Sequence, residues 1–442
     1  MPTAKPTFPA VSRPLTRWRI ARRTSVVLVT AALLSALFPA RPEAATPALR
    51  PAGLQRDADA LHRAGVTGVS VRLDTPRGVR TARSGTAHLG TARPVPLNGS
   101  VRIGSTTKTF VATVLLQLAG EGWLSLDDTV DRWLPGVVRG HGNDGRRITL
   151  RRLLQHTSGL PDYIGEVAPH PSAAEYHRNR WTAHTSAQRV ALAMQHPPAF
   201  EPGARWQYSN TNYVLAGMVI KAVTGRSWED EVRGRILRPL RLTHTRAPGD
   251  RPFLPGPHAS DYQQFAPHGP LTDTTIAYLP FDGDADGSLI STTADTNTFF
   301  RALLHGELLA TAQLAEMQHT VEEPVGHGTP PGTRYGLGLE WTPLSCGGGY
   351  WGHSGDGYGY LVWPATTPDG RATVTVSVHS RPGDQDTAAR QIRGVTGLVD
   401  HALCAVRAEG GPDTARTTAP DRRHGGRAAA ADRDTAAARR RH

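Results

Sequence analysis

Strand-like periodicity occurs near both ends of the central part of this chain, and helical periodicity fills what lies between. Residues 66–73 and 79–84 read as short strands joined by the turn Thr75-Pro76-Arg77-Gly78. From Ser105 the period becomes helical. Phe110, Val111, Val114, Leu115 and Leu118 form one stripe, which stops at Gly120 and Gly122. Helical patterns follow at 151–155, 186–194, 212–224, 293–304 and 311–318. Strand patterns return at 348–353, 358–363 and 372–380, the last two joined by Thr367-Pro368-Asp369-Gly370, and 386–406 reads as a closing helix. Such an order predicts an α+β fold. A sheet flanked by helices is built from both chain ends, and a mostly helical lobe at about 105–330 is inserted between them.

The two extremities read differently from this body. Residues 1–45 carry a basic run (Arg13, Arg17, Arg19, Arg22, Arg23), then an apolar stretch at 26–38 that is too short to span a bilayer. They are expected to be a signal peptide, which makes the protein secreted. Residues 408–442 are rich in Ala, Gly, Thr, Asp and Arg and are expected to be a disordered basic tail. The folded domain then spans about 50–407. The net charge of +12 would suit a nucleic-acid partner, but six of those charges fall in 1–45 and three in 409–442. The body has no basic stripe, so no nucleic acid is expected. No cysteine lies near the cleavage region and no later apolar run is long enough for a stable membrane anchor. In an exported protein the only two cysteines, Cys346 and Cys404, are expected to pair. Closing that loop would contribute roughly 4 kcal/mol by chain entropy.

Chemistry concentrates at three places. Lysine is almost absent, leaving Lys5, Lys108 and Lys221. Lys108 stands three residues after Ser105, and a helical turn would put amine and hydroxyl on one face. An amine can lose its proton when buried, which a guanidinium cannot. The second place is Tyr208-Ser209-Asn210. A tyrosine of depressed pKa could shuttle protons, and the asparagine could hold an amide carbonyl and the lysine together. The third is His353-Ser354-Gly355, where a glycine would let substrate backbone pair with the strand edge. A chance Ser-x-x-Lys or Tyr-x-Asn is expected roughly 0.1 to 0.2 times in such a chain, so the ordered trio is informative.

With these motifs the chain resembles the penicillin-recognising serine hydrolases, in the branch of class C β-lactamases and secreted D-alanyl-D-alanine carboxypeptidases. The likeness extends over about 66–404. It includes Leu126-Asp127-Asp128, His156-Thr157-Ser158-Gly159-Leu160, Tyr208 to Gly217 and Tyr335-Gly336-Leu337-Gly338-Leu339. Cys346 and Cys404 also match the cystine of the carboxypeptidases. The resemblance implies a β-lactamase/transpeptidase-like fold, with Ser105 as acylated nucleophile and Lys108 and Tyr208 as its base and acid partners. Asn210 would orient the substrate amide, and His353 would take an electrostatic part. The backbone N–H groups of Ser105 and Asp356 would form the oxyanion hole. It further implies a monomer acting without cofactor on a small peptide or β-lactam-like substrate, with cell-wall peptidoglycan as the wider setting.

Where carboxypeptidases carry a basic residue and a hydroxyl for the substrate carboxylate, this chain has Glu340 and Asp356. D-alanyl-D-alanine carboxypeptidase-like hydrolysis is the leading expectation. The alternatives are a D-aminopeptidase or D-amino-acid amidase, an esterase, or a non-catalytic penicillin-binding module. Glu340, Gly355 and Asp356 are the expected substrate contacts. The run Asp282-Gly283-Asp284-Ala285-Asp286-Gly287 lacks the closing glutamate of a calcium loop and reads as a solvated acidic loop. His156 reads as part of a helix-ending turn. No His or Cys spacing supports a catalytic metal.

Overall fold

The computed structural model describes residues 52–324 and 328–410. The expected signal peptide at 1–45 and the tail beyond 410 lie outside the described residues. Residues 408–410, expected in the tail, instead complete a helix, and Glu409 there meets Arg77 and Arg80, each at 3.2 Å.

The sheet is assembled from distant segments. Its strands are β1 (Gly68–Thr75), β2 (Gly78–Gly85), β3 (Val321–Glu322), β4 (Arg334–Tyr335), β5 (Glu340–Pro343), β6 (Gly349–Gly352), β7 (Gly355–Gly357), β8 (Tyr360–Thr366) and β9 (Thr373–Val378). They run antiparallel in the order β2-β1-β9-β8-β6-β5-β4-β3, with β7 pairing on β8. The β1–β2 register pairs Thr75 with Gly78, so the predicted four-residue turn closes the first hairpin. In β9 the valines 374, 376 and 378 face one side and Thr373, Thr375 and Ser377 the other, and all are buried. Alternation is thus present in sequence although neither face meets water.

Five helices matter for the site: α1 (Ala52–Arg63), α2 (Thr107–Gly120), α3 (Thr211–Thr224), α4 (Thr293–Leu304) and α5 (Gln385–Gly410). Helices α1 and α5 cover the valine face through Ala58, Leu61, Val395, Leu398, Val399 and Leu403. Helix α4 covers the other face. Its Asn297 donates to the carbonyls of Arg72 and Thr373, each at 3.2 Å, and accepts from Thr375 at 2.6 Å. Of the polar stripe of β9, Asn297 thus satisfies the Thr375 hydroxyl, while Ser377 pairs with His379 at 3.4 Å.

Helix α2 departs from the expected one-sided stripe. Thr107 through Leu116 and Leu118 are all buried, because α2 runs through the helical lobe with α3 against it and Phe110 stacked on Phe299 of α4. A helix enclosed on every side carries little amphipathic signal. The short turn Gly104–Thr106 that precedes α2 packs on β7 and β8, which places Ser105 where the two lobes meet. Cys346 and Cys404 are joined, tying the loop between β5 and β6 to α5.

Candidate active site

Ser105 lies on a 3-10 turn, Gly104–Thr106, that leads into α2, and Lys108 is the second residue of the helix. The turn is held against the sheet by Thr106, whose hydroxyl donates to the His353 carbonyl at 2.8 Å. Close approach leaves no room for side chains at either contact. A Cβ on Gly104, whose φ is +48°, would lie 2.8 Å from the Asp356 nitrogen. A Cβ on Gly355 would lie 1.9 Å from the Ile103 carbonyl oxygen. Packing of strand on turn thus requires a glycine at 355. The same apposition brings the main chains of Ser105 and Asp356 together at the helix N-terminus, where amide dipoles favour a developing anion.

Lys108 is fully buried, with three neighbours at hydrogen-bond distance. Its Nζ lies 2.9 Å from Ser105 Oγ, 2.7 Å from Asn210 Oδ1 and 2.7 Å from the Asp286 carbonyl oxygen. A neutral amine fits this cage: two N–H groups serve the two carbonyl-type acceptors, and the lone pair faces the serine hydroxyl. Burial draws the amine down to about 8, against the opposing pull of the Asp286, Asp162, Asp356 and Glu340 carboxyls.

Asn210 opens α3 but does not cap it. Its Nδ2 donates to Asp162 Oδ2 at 2.9 Å, leaving Oδ1 for Lys108. Asp162 is held in turn by the Ile164 N–H at 3.1 Å. The tyrosine places its ring 4.8 Å from Lys108 Nζ. Burial pushes the Tyr208 phenol well above 10, outweighing its hydrogen bond with Ser105. The expected depressed tyrosine is thus corrected, and the group drawn toward its neutral form beside Ser105 is Lys108. Behind Tyr208, at 4.2 Å between rings, sits His156 in the left-handed region at φ 59°. Its Nδ1 accepts from Asn212 Nδ2 at 3.0 Å and from the Ser209 N–H at 3.3 Å. It forms the turn behind the site, and burial keeps it neutral.

His353 also stands in the cleft wall, but its expected electrostatic part needs correcting. Burial and the Lys108 charge press it down to about 3, so the ring is neutral. Its Nδ1 lies 2.7 Å from the Ser354 carbonyl and Nε2 lies 2.8 Å from the Tyr335 hydroxyl, a pairing that makes Nδ1 the donor. The ring therefore fixes the main chain leading to Asp356.

The cleft in front of Ser105 holds about 530 Å³. Its walls are acidic. Glu340, only 7% exposed, is pushed well above 4.5 by burial and then by Glu323, although the Ser354 N–H bonds to it. Glu323 on the same wall is raised by burial to about 6, with Thr329 donating to one oxygen at 2.7 Å and the other oxygen buried without a partner among the described residues. Asp356 is different: its side chain is 54% exposed and pairs with Arg381 at 3.3 Å. Arg381 also donates to Gln391 at 2.6 Å.

The acidic run is not the solvated loop expected. Asp282, Asp284 and Asp286 are all buried: Asp282 accepts from Tyr360 at 3.1 Å and Asp284 lies 3.5 Å from Arg189. Partners that pair with these aspartates come from distant segments, so the local pattern could not reveal burial. Asp162 and Glu323 carried no motif in sequence. Among the described residues no group of three His, Cys, Asp or Glu side chains is arranged to hold a metal.

The serine, amine and tyrosine gather at the N-terminal end of α2 facing the sheet, and the family model described as Beta-lactamase matches residues 54–396, the range that contains them. The chain belongs to the beta-lactamase family. Its fold and its serine-hydrolase framework are those of that family. Among curated relatives it is 29% identical over 322 residues to penicillin-binding protein 4* of Bacillus subtilis, covering 70% of this chain and 66% of that one. It is 34% identical over 143 residues to protein Flp of Staphylococcus aureus, spanning 27% of that protein's length. Among solved structures it resembles a D-stereospecific amidohydrolase from Streptomyces sp. That match has 40% identity and TM-score 0.70 and covers 77% of this chain and 97% of the other. It also resembles the D-amino acid amidase from Ochrobactrum anthropi, at 28% identity and TM-score 0.71, covering 81% of this chain and 99% of the other.

Proposed function

We propose that this family member hydrolyses amides of D-amino acids that carry a free amine, through an acyl-enzyme on Ser105. One observation carries the choice: the buried Glu340 and half-buried Glu323 share a cleft wall, and among the described residues the ring beside Glu340, His353 at 3.7 Å, is neutral, so no arginine or charged imidazole is paired with either carboxyl. A substrate carboxylate brought there would find no countercharge and would hold these carboxyls protonated, whereas an ammonium would favour their ionised forms and pair with them. Arg381, the arginine on the cleft, is already engaged by Asp356 and Gln391. This favours amine recognition over the carboxypeptidase reaction that leads from sequence alone. The likeness to a D-stereospecific amidohydrolase and a D-amino acid amidase supports the same class.

In this reading Ser105 Oγ attacks the amide carbon while its proton passes to Lys108 Nζ. The N–H groups of Ser105 and Asp356 receive the oxyanion, and Tyr208, as a neutral phenol, relays the proton to the leaving amine. Water then attacks the ester and restores Ser105. The setting we propose is extracellular, as a monomer acting on small peptides, peptidoglycan fragments included. The leader-like N-terminus supports it, as does the Cys346–Cys404 bond.

The test compares a D-amino-acid amide, its N-acetyl derivative, a peptide ending in D-Ala-D-Ala with free or amidated terminus, and a p-nitrophenyl ester. The amide with its free amine should be preferred, N-acetylation should lower kcat/KM at least about tenfold, and Glu340→Gln should remove that discrimination. Preference for the free carboxylate would establish a carboxypeptidase instead. Turnover of the ester alone would leave an esterase.

A further inference from the structure

The carbonyl of Asp286 anchors Lys108, yet its carboxyl has no part in the acylation steps above. We propose that this carboxyl is a positioning group that holds the proton on Lys108 and so sets the pH at which the amine becomes the base for Ser105. The inference rests on the reading of Ser105 as nucleophile.

The geometry uses Asp286 twice. Its main-chain oxygen accepts from Lys108 Nζ at 2.7 Å, which fixes the residue beside the amine. Its side chain is 2% exposed and borders the cleft. Oδ2 accepts from the Tyr163 hydroxyl at 2.9 Å, and Oδ1 is buried with no hydrogen-bond partner among the described residues. A buried oxygen left open in this way is costly unless charge nearby compensates. Three further groups face the carboxyl. Asp284 comes from its own loop, Arg189 from the helix Ser186–Ala193, and Lys108 from α2. Arg189 is committed elsewhere: it lies 3.5 Å from Asp284, donates to the Leu279 carbonyl at 2.9 Å and also bonds the His184 carbonyl. Lys108 is thus the cation left to answer Asp286. Facing Lys108 from other elements are Asp162, Asp356 and Glu340, and Asp286 exerts the largest opposing pull.

Two forces then act on one amine. Burial expels its proton, and the Asp286 carboxylate retains it. Tyr163 adjusts the balance, because a hydroxyl donated to Oδ2 favours the ionised carboxyl. Burial lifts that carboxyl to about 7, close to the range of Lys108, so the two titrate as a pair.

The backbone contact survives any side-chain change, which makes the test clean. Asp286→Asn keeps the carbonyl on Nζ and removes only the charge. The measurement is the pH dependence of Ser105 modification by a fluorophosphonate, followed by intact mass. The rising limb should move to lower pH by about one unit in Asp286→Asn, with the alkaline plateau within about threefold of wild type. Tyr163→Phe should move it in the same direction by less, since the carboxyl then ionises less readily. If the Asn variant fails to fold, Tyr163→Phe decides alone. A limb that stays in place while the plateau falls would mean a purely structural aspartate and would overturn the proposal. Absence of a Ser105 adduct in the wild type would overturn the nucleophile reading itself, and this inference with it.

Discussion

Replacing Lys108 by arginine separates charge from basicity at a site where the structure demands a lone pair. The amine has two carbonyl-type acceptors at 2.7 Å and the serine oxygen at 2.9 Å. Arginine would supply donors to all three but could accept nothing from Ser105. With the lysine at about 8, roughly one-tenth is free amine at pH 7 and about nine-tenths at pH 9. The wild-type rate of Ser105 acylation should therefore rise about ninefold across that interval, since the active form appears as pH climbs through the lysine's range. Loss of a positioned base costs about 10²- to 10⁴-fold. Lys108→Arg and Lys108→Ala should both fall within that range and should show no rise between pH 7 and pH 9. Time-resolved intact mass with a fluorophosphonate reads the rate, and circular dichroism checks that the buried substitution leaves the fold intact. A folded arginine variant within tenfold of wild type, or an alanine variant that keeps the rising limb, would refute Lys108 as base.

Two further outcomes test the wider structure. Glu340 has a folded-state pKa raised well above 4.5, so it stays protonated where the unfolded chain has already ionised, and its contribution is lost as pH rises. Glu340→Gln should consequently gain stability relative to wild type by up to about 1.4 kcal/mol per pH unit above 4.5 until the folded carboxyl ionises; a difference in urea midpoint that is flat from pH 5 to pH 8 would contradict this. Reducing the Cys346–Cys404 bond, which closes a 58-residue separation, should lower the urea midpoint by the equivalent of roughly 4 kcal/mol at most while leaving Ser105 labelling at 25 °C intact. An unchanged midpoint would show that the bond constrains nothing in the unfolded chain.

Sequence reading succeeded where pattern is local. The hairpin turn at Thr75–Gly78, helix α4 and the helix over Thr211–Thr224 are set by turn residues and apolar spacing within one segment, and each lies within a residue or two of its expected place. Ser105 and Lys108 were legible for the same reason, being three residues apart. Strands β4, β5 and β7 were not: each is two to four residues long, too short for a period, and their order in the sheet depends on segments far apart. Helix α1 also escaped, because its apolar residues Ala58 and Leu61 are few. Burial of the three aspartates was hidden because Arg189, Tyr163 and Tyr360 reach them from elsewhere in the chain. Likewise Tyr208 reads as an ordinary candidate for a lowered pKa, and only the density of the surrounding His156, Tyr213 and Tyr335 rings shows why burial drives it upward.

The acidic residues around the cleft divide by what they can reach. Asp162 acts on Lys108 through the Asn210 amide and Asp286 through its main-chain carbonyl, so both bear on the amine. Asp356 lends its main chain to the turn at Gly104, while its carboxylate is half in solvent and balanced by Arg381. A surface pair of this kind contributes little and repels little. Under the amine-recognition proposal Glu340 and Asp356 are therefore unequal: Glu340, buried beside Glu323 and next to a neutral His353 ring, is the one that would discriminate. It follows that Asp356→Asn should leave the preference between free amine and free carboxylate nearly unchanged, whereas Glu340→Gln should abolish it. Equal effects of the two substitutions in the same substrate panel would mean that Arg381 releases Asp356 when substrate binds, and the burial of Glu340 would then no longer explain selectivity.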